Sequence, residues 1–208
     1  MTPTFADLPV ALPVGCVGVR IDVASVSTMV GESGSARRAE FLAGRLAAAE
    51  AMRRVGVVDG GVLGRTSDGA PAWPQGVTGS ISHHSGIACA VASNAAMGMG
   101  VDIAPLLGES QLRAVVRRCL IDPERERWPS PPEVAVVFAA KESIYKAAHP
   151  HVGRHIGFDE ADVIEQSGGS WTARLGERLA AELGVGWVSG SFAWESDLVY
   201  TALALDLP

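Results

Sequence analysis

The chain has 208 residues, of which 48% are hydrophobic and 19% are charged, and its formal net charge at pH 7 is −6. This length and hydrophobic content suit a buried core, so the composition excludes a disordered or tail-like protein. The negative charge argues against a general nucleic-acid binder, because such proteins neutralise phosphates with a broad basic surface. An anionic ligand must therefore bind a local basic cluster.

The cysteines and the first residues indicate the cellular compartment. Cys16, Cys89 and Cys119 are widely spaced and odd in number, so they form neither a metal-binding knuckle nor a disulfide framework. The start of the chain has no basic region ahead of an apolar stretch, and no segment reaches the ~20 apolar residues that span a bilayer. We therefore expect a cytoplasmic protein without a membrane span.

Residues 36–55 predict an amphipathic helix, because apolar residues recur there at three- and four-residue steps. The apolar positions are Leu42, Leu46, Ala49, Met52 and Val55. We expect the arginines of this helix to project from its wetter side, and an arginine cluster of this kind is ordinarily a solvated face. The segment 60–79 is rich in glycine, proline and turn residues, which predicts an irregular connection that could carry a binding loop.

An apolar run at residues 87–92 predicts a buried strand. We expect residues 97–103 to form the strand that returns beside it, ended by Pro105, which has no backbone donor for the ladder. This arrangement places Asp102 near a strand end. A lone aspartate at such a position is more often a turn or cap residue than a metal ligand.

The second half of the chain predicts two helices, at residues 112–120 and 133–148. We expect Pro150 to end the second helix, because the residue before a proline disfavours helical geometry. The elements expected after it are strands near 162–165 and 171–175, a helix near 177–183, and a hairpin of 191–195 and 199–205. The chain thus predicts an α+β fold of two lobes, residues 1–103 and 104–208.

The helix predicted at residues 133–148 carries the most informative pattern. Phe138, Glu142 and Lys146 are four residues apart and share one face. The surrounding positions are nearly all apolar, and a carboxylate on a helix buried on several sides is costly unless a cation or metal compensates it. The alternative is a half-exposed Glu142–Lys146 pair, which would contribute only ~0.3 kcal/mol.

Lysine is rare in this chain, which has 15 arginines but only two lysines. Both of them, Lys141 and Lys146, lie in the same helix. Lysine has a compact ammonium group and arginine a planar fork, so the two are not interchangeable at a tight phosphate site. The distribution favours a specific role for these lysines.

Two segments together resemble the signature of the 4′-phosphopantetheinyl transferase superfamily, which is G-[VI]-D followed by a helix with [FW]-x-x-K-E-[SA]-x-x-K. This chain has G-V-D at 100–102 and F-x-x-K-E-S-x-x-K at 138–146. Its length and motif order resemble the larger class of the surfactin and enterobactin enzymes, and the Phe and Ser choices resemble the siderophore-like branch. The basic segment 37–45 and the stretch from W-P at 73–74 to G-S-I-S-H at 79–83 also match that branch.

The resemblance implies a monomer of two similar α/β lobes in a pseudo-twofold arrangement, with coenzyme A and Mg²⁺ (or Mn²⁺) in the cleft between them. The implied reaction transfers the 4′-phosphopantetheine moiety of coenzyme A to a serine of an apo acyl or peptidyl carrier protein. The second product would be adenosine 3′,5′-bisphosphate. Carriers of siderophore, nonribosomal peptide and polyketide synthases present acidic helices, which the arginines Arg113, Arg117 and Arg118 could meet.

The resemblance also implies roles for particular residues. Asp102 and Glu142 would hold Mg²⁺ against the pyrophosphate, and Lys146 would stabilise the charge that develops on the leaving nucleotide. Glu142 and a metal-bound water are both candidates for the acceptor of the serine proton, and the sequence does not separate them. The residues that match the family's contacts to coenzyme A are Arg37, Arg45, Arg65, Ser82, His83, Lys141 and Lys146.

One position departs from the family pattern. Many relatives have a further acid two residues after the aspartate, where this chain has Ala104. Because Mg²⁺ usually keeps several waters, we expect a more metal-dependent enzyme rather than an inactive one. The alternatives are a catalytically weak paralogue that binds coenzyme A or a carrier protein, and a different nucleotide-binding or acyl-transfer protein. No phosphate loop, G-x-G-x-x-G or G-x-S-x-G motif supports the latter.

Overall fold

The computed structural model describes residues 3–30, 35–57, 61–67 and 69–206. The elements in chain order are β1 (Phe5–Asp7), β2 (Cys16–Asp22), α1 (Ala24–Val30), α2 (Ala36–Arg54), β3 (Thr78–His84), β4 (Ile87–Ser93), β5 (Gly98–Pro105), α3 (Glu109–Cys119), α4 (Asp122–Arg127), α5 (Pro131–Val152), a 3₁₀ turn (Phe158–Glu160), β6 (Ala161–Ser167), β7 (Ser170–Leu175), α6 (Glu177–Leu183), β8 (Trp187–Glu195) and β9 (Leu198–Leu205).

Two antiparallel sheets organise these elements. The first has the strand order β1-β2-β4-β3 and the second has the order β5-β9-β8-β7-β6. Helix α2 packs on the first sheet and α5 on the second, each over its own apolar core. A third core combines residues of both sheets, among them Val91, Val101 and Tyr200. The predicted α+β fold is confirmed. Among the described residues, no helix combines the length and apolar character that crossing a bilayer requires.

Helix α2 forms where the periodicity predicts it, and the predicted position Met52 is fully buried, but most of the buried face consists of other residues. The positions in contact with the first sheet are mostly alanines, and Leu42 and Leu46 are only half-buried. Arg45, expected on the wetter side, is 4% exposed. The reason is close packing: a Cβ at Gly44 would lie 2.8 Å from Ile81 Cγ2 on β3. Small residues at most of the buried positions let the helix approach the sheet closely.

Strand β5 does not return beside β4 as we expected. Both edges of β4 are already paired, with β2 on one side and β3 on the other, so no edge remains for another strand. β5 pairs instead with β9, where Asp102 lies opposite Thr201. Pro105 does end the strand, and Asp102 lies three residues before it. The lobe boundary at residues 103 and 104 stays a prediction.

Helix α5 continues past Pro150, which we expected to end it. It runs to Val152 and is closed by Gly153, whose left-handed backbone (φ 63°) lets its N–H donate to the His149 carbonyl at 3.0 Å. Ala147 and Ala148 are fully buried in the last turns. Tertiary packing therefore outweighs the local preference against helix before a proline.

Strand β5 lies directly under the backbone of α5. A Cβ at Gly98 would lie 2.7 Å from the Ala147 carbonyl oxygen, and one at Gly100 would collide with the Ser143 carbonyl. Ser143 Oγ lies 2.6 Å from Thr201 Oγ1, which donates to the Ala139 carbonyl at 2.8 Å. This contact brings the helix face of Glu142 and Lys146 against the strand of Asp102.

We predict that Gly100→Ala lowers the free energy of unfolding by about 1–3 kcal/mol, because the added methyl group overpacks the contact between β5 and α5. Gly186→Ala is the matched control, since a Cβ at Gly186 meets nothing within 4 Å and its φ is not positive. Urea titration of both variants measures the difference. Equal stability of the two variants would contradict the close approach.

Candidate functional site

The carboxylate of Asp102 is the meeting point of three elements. Asp102 is 7% exposed, and its Oδ1 accepts hydrogen bonds from Ser82 Oγ on β3 at 2.8 Å and from Lys146 Nζ on α5 at 2.6 Å. Ser82 Oγ in turn accepts from the Ile103 N–H at 3.3 Å. The carboxylate is thus oriented from the first sheet and from α5 together.

Lys146 faces the site with part of its hydrogen-bonding capacity unused. Its ammonium group donates to Asp102 and to the Val101 carbonyl at 3.0 Å, and a quarter of the side chain is exposed. An ammonium group has three donors. Within the described part of the chain the third has no partner, so it is available to an anionic ligand.

Glu142 lies close enough to Asp102 for their charges to interact. Burial, and then the negative charge of Asp102, raise the pKa of the Glu142 carboxyl, while Lys146 partly opposes this. Two carboxylates near one ammonium group leave one negative charge in excess, which a divalent cation would neutralise. The donor set therefore fits a hard cation.

The structure assembles these two carboxylates without a third protein ligand. No group of three or more His, Cys, Asp or Glu side chains suited to a metal occurs among residues that the structure describes. Mg²⁺ is commonly held by one or two carboxylates and completes its shell with waters and phosphate oxygens. A site of Asp102 and Glu142 is consistent with that mode of binding.

A cleft of about 430 Å³ opens beside Lys146. Its walls are the connecting loop at residues 69–73, β3 at residues 79–81, and Tyr145, Lys146 and His149 of α5. Its size lies within the range of small-molecule sites. A smaller, mainly apolar cavity of about 130 Å³ is lined by Glu142, Ile156 and Phe158, and Tyr145 borders both spaces.

Two of the predicted phosphate contacts, Arg45 and Arg65, lie together. Their guanidinium carbons stand 4.8 Å and 4.4 Å from the ring centre of Phe41. Burial, and then the charge of Arg65, lower the pKa of Arg45, and Arg45 Nε is buried with no hydrogen-bond partner among the described residues. Neither arginine has an acidic partner within the described ranges. Arg37 is exposed on the first turn of α2.

Ser82 and His83 face opposite sides of the first sheet, as neighbours on a strand do. Ser82 points to β5 and is engaged by Asp102. His83 points to α2, where its Nδ1 lies 3.7 Å from Glu40 Oε2. Of these two predicted contacts to coenzyme A, His83 is the one that lies beside α2, the helix that carries Arg37 and Arg45.

Lys141 does not join the other predicted residues. Its ammonium group is buried and donates to Glu124 Oε2 at 2.6 Å, to the Cys119 carbonyl at 3.0 Å and to the Phe158 carbonyl at 2.7 Å. All three donors are used among α3, α4 and the 3₁₀ turn, which corrects our expectation that Lys141 faces the phosphates. Five residues on a helix separate side chains by about 140° around the axis, a signal that should have placed Lys141 away from Lys146.

Glu124 is a residue that the sequence analysis missed. It is fully buried on α4 and accepts from the backbone N–H groups of Ile121 at 3.0 Å and Val163 at 2.7 Å, besides Lys141. Burial raises its pKa and Lys141 opposes this. The pair joins α4, α5 and β6 behind the site. Nothing in the local sequence distinguishes Glu124 from a surface acid.

Comparison with known protein families gives two matches in chain order. Residues 26–93 match the 4′-phosphopantetheinyl transferase N-terminal domain, and residues 98–201 match the 4′-phosphopantetheinyl transferase superfamily. Asp102, Glu142 and Lys146 lie in the second match. Arg45 and Arg65 lie in the first.

Several curated proteins are similar to this chain. The 4′-phosphopantetheinyl transferase Svp of Streptomyces mobaraensis is 34% identical over 189 residues, covering 81% of this chain and 72% of the relative. The 4′-phosphopantetheinyl transferase PptT of Mycobacterium tuberculosis is 30% identical, with 85% and 83% covered. Enterobactin synthase component D of Salmonella typhi is 38% identical over 136 residues, with 63% and 56% covered.

We predict that Lys141→Met lowers the free energy of unfolding at pH 7 by about 3–5 kcal/mol, because it leaves the Glu124 carboxylate buried without a cation. The loss should shrink as the pH falls, since a buried carboxyl with a raised pKa destabilises the fold only while it is ionised. The double variant Lys141→Met, Glu124→Gln should recover part of the lost free energy of unfolding.

Lys146→Met, at a partly exposed position, is the control. Urea titrations at several pH values test this, and an equal loss in both single variants would contradict it.

Proposed function

The chain belongs to the 4′-phosphopantetheinyl transferase superfamily and is an enzyme of that family, and we propose that it transfers the 4′-phosphopantetheine moiety of coenzyme A to a serine of an apo acyl or peptidyl carrier protein. The reaction would depend on Mg²⁺ or Mn²⁺ and would release adenosine 3′,5′-bisphosphate. The observation that carries this proposal is the Asp102–Lys146 pair with Glu142 beside it, at the edge of a cleft that a nucleotide can enter.

Coenzyme A binding is supported by Lys146, which lines the cleft, and by Arg45 and Arg65, of which Arg65 belongs to the connecting loop that forms one of its walls. Arg45 and Arg65 lack acidic partners among the residues described, and Lys146 keeps a free donor. Arg37 and His83 lie on or beside the same helix and would add further contacts. Charge-assisted hydrogen bonds of this kind hold phosphates strongly.

Asp102 and Glu142 would hold the divalent cation, which when bound neutralises charge on the pyrophosphate. Ser82 and Lys146 keep the Asp102 carboxylate in one orientation. In the reaction the carrier serine Oγ bonds to the β-phosphorus, and the bond from that phosphorus to the oxygen of the nucleotide phosphate breaks. Lys146 would donate to the oxygens on which negative charge develops. Glu142 and a water molecule are the two candidate acceptors for the serine proton.

The carrier protein would meet the enzyme near α3. Arg113, Arg117 and Arg118 lie along this exposed helix, and acidic carrier helices complement such a surface. Relatives named enterobactin synthase component D support a carrier of siderophore or nonribosomal peptide synthesis. Three free cysteines suit a reducing environment, and we propose a cytoplasmic monomer.

We predict that apo-carrier incubated with the protein, coenzyme A and Mg²⁺ gains the mass of the phosphopantetheine arm. Asp102→Asn and Glu142→Gln should lower the rate at least about a hundredfold, because each removes charge from the reacting centre. Glu165→Gln, an exposed acid on β6, is the matched control. Mass spectrometry reads the product. No gain on siderophore, nonribosomal peptide and polyketide carriers would favour the catalytically weak paralogue, and full activity of the two variants would refute the assigned roles.

Ala104 generates a separate prediction about the metal. It lies on β5 two residues from Asp102, on the same face, and is 1% exposed. Ala104→Glu should lower the Mg²⁺ concentration for half-maximal activity by roughly tenfold, because it adds a charged ligand. In the presence of a chelator, Ala104→Glu should have a lower melting temperature than the native protein, and added Mg²⁺ should raise that temperature again. In Ala104→Gln, which is equal in size but neutral, added Mg²⁺ should not raise the melting temperature. An unchanged Mg²⁺ requirement in Ala104→Glu would contradict this account.

A further inference from the structure

Phe41 is the feature that the mechanism above leaves unused. It lies on α2 and is 37% exposed, one of few large apolar side chains on the described surface. Arg45, one helical turn later, and Arg65, from the connecting loop, both place their guanidinium groups over its ring. Two segments that are distant in sequence thus present their cations on one aromatic side chain.

This arrangement is electrostatically unfavourable without a ligand. The two cations repel each other, and the nearby acids of α2 are engaged elsewhere. Glu50 pairs with Arg53 and Arg54, and Glu40 lies beside His83. The Arg45 Nε, which is buried and has no partner in the part of the chain that the structure describes, adds an unsatisfied donor. The negative face of the ring offsets part of the repulsion, and a bound anion would offset the rest.

The position of the pair indicates which anion it takes. Arg65 forms a backbone bridge with Pro71, and Pro71 and Ile81 line the cleft on the wall formed by the loop and β3. Lys146 lies on the wall formed by α5. Coenzyme A has a pyrophosphate and a separate dianionic phosphate on its ribose. With the pyrophosphate at the carboxylates and Lys146, the arginine pair is left for the ribose 3′-phosphate.

We propose that Phe41 is a positioning residue that holds Arg45 and Arg65 together for the 3′-phosphate, and that it thereby sets the preference for coenzyme A over 3′-dephospho-coenzyme A. This inference rests on the proposed function, since it assumes that coenzyme A is the donor. Phe41 touches the two guanidinium groups rather than the reacting atoms. A preformed pair loses less conformational freedom when the phosphate binds than two free side chains would.

The test compares the two donors with a fixed apo-carrier. In Phe41→Leu, which keeps an apolar side chain but removes the ring, the KM for coenzyme A should rise between about threefold and tenfold, with kcat little changed. The KM for 3′-dephospho-coenzyme A should stay the same, so the preference for coenzyme A over 3′-dephospho-coenzyme A falls. Phe41→Tyr, which retains a ring, should have the same preference as the native enzyme. Trp187→Leu, an exposed aromatic residue on β8, is the matched control.

A double-mutant cycle separates positioning from simple packing. If Phe41 acts through the arginines, Phe41→Leu should have a smaller effect in the Arg65→Gln background than in the native one. Urea titration verifies that each variant is folded, and calorimetry with adenosine 3′,5′-bisphosphate and 5′-AMP repeats the comparison without catalysis. Equal losses with both donors, or an unchanged preference in Phe41→Leu, would overturn the inference. If the native enzyme transfers the arm from both donors with the same KM, the inference about Phe41 fails while the proposed function stands. If it transfers the arm from neither donor, the proposed function itself is refuted.

Discussion

The hydrogen bonds that Asp102 accepts from Ser82 and Lys146 are the constraint on which the site depends, because they join β3, β5 and α5 at one carboxylate. This junction requires α5 to lie directly on β5, which only glycine permits at Gly98 and Gly100. Thr201, opposite Asp102 on β9, is hydrogen-bonded through its Oγ1 to Ser143 Oγ on the same stretch of helix. The position of β5 relative to the helix that carries Glu142 is therefore set by backbone packing.

The two kinds of cation in this protein serve different physical tasks. Each lysine pairs with one carboxylate, Lys141 with Glu124 in the interior and Lys146 with Asp102 at the cleft. The compact ammonium group can also donate to backbone carbonyls around it, as both lysines do. Arg45 and Arg65 instead spread their charge over a flat fork that lies on an aromatic ring, which suits them to a phosphate.

Local patterns predicted the helices α2, α3, α5 and α6 and the strands from β4 onward, because periodicity and turn residues act within a few positions, but they missed α1, α4 and β1–β3. They failed where a distant partner decides the outcome. The pairing of β5 with β9 follows from the occupied edges of β4, and the extension of α5 past Pro150 follows from buried alanines. The site was predictable as far as motifs reach, to Asp102, Glu142 and Lys146. Glu124 and Phe41 were not, because Glu124 pairs with Lys141 of another helix and Phe41 also contacts Arg65 of the connecting loop.

The sequence by itself determined the family and the α+β class and predicted the residues proposed for phosphate and metal binding, since these depend on residue type and spacing along one chain. Only the tertiary structure decided where each of these cations lies. It turned Lys141 inward to Glu124, buried Arg45 and placed Arg65 beside it at Phe41, and left Lys146 at the cleft. The physical reason is that a charged side chain goes where its desolvation is compensated, and the compensating group is brought to it by the fold.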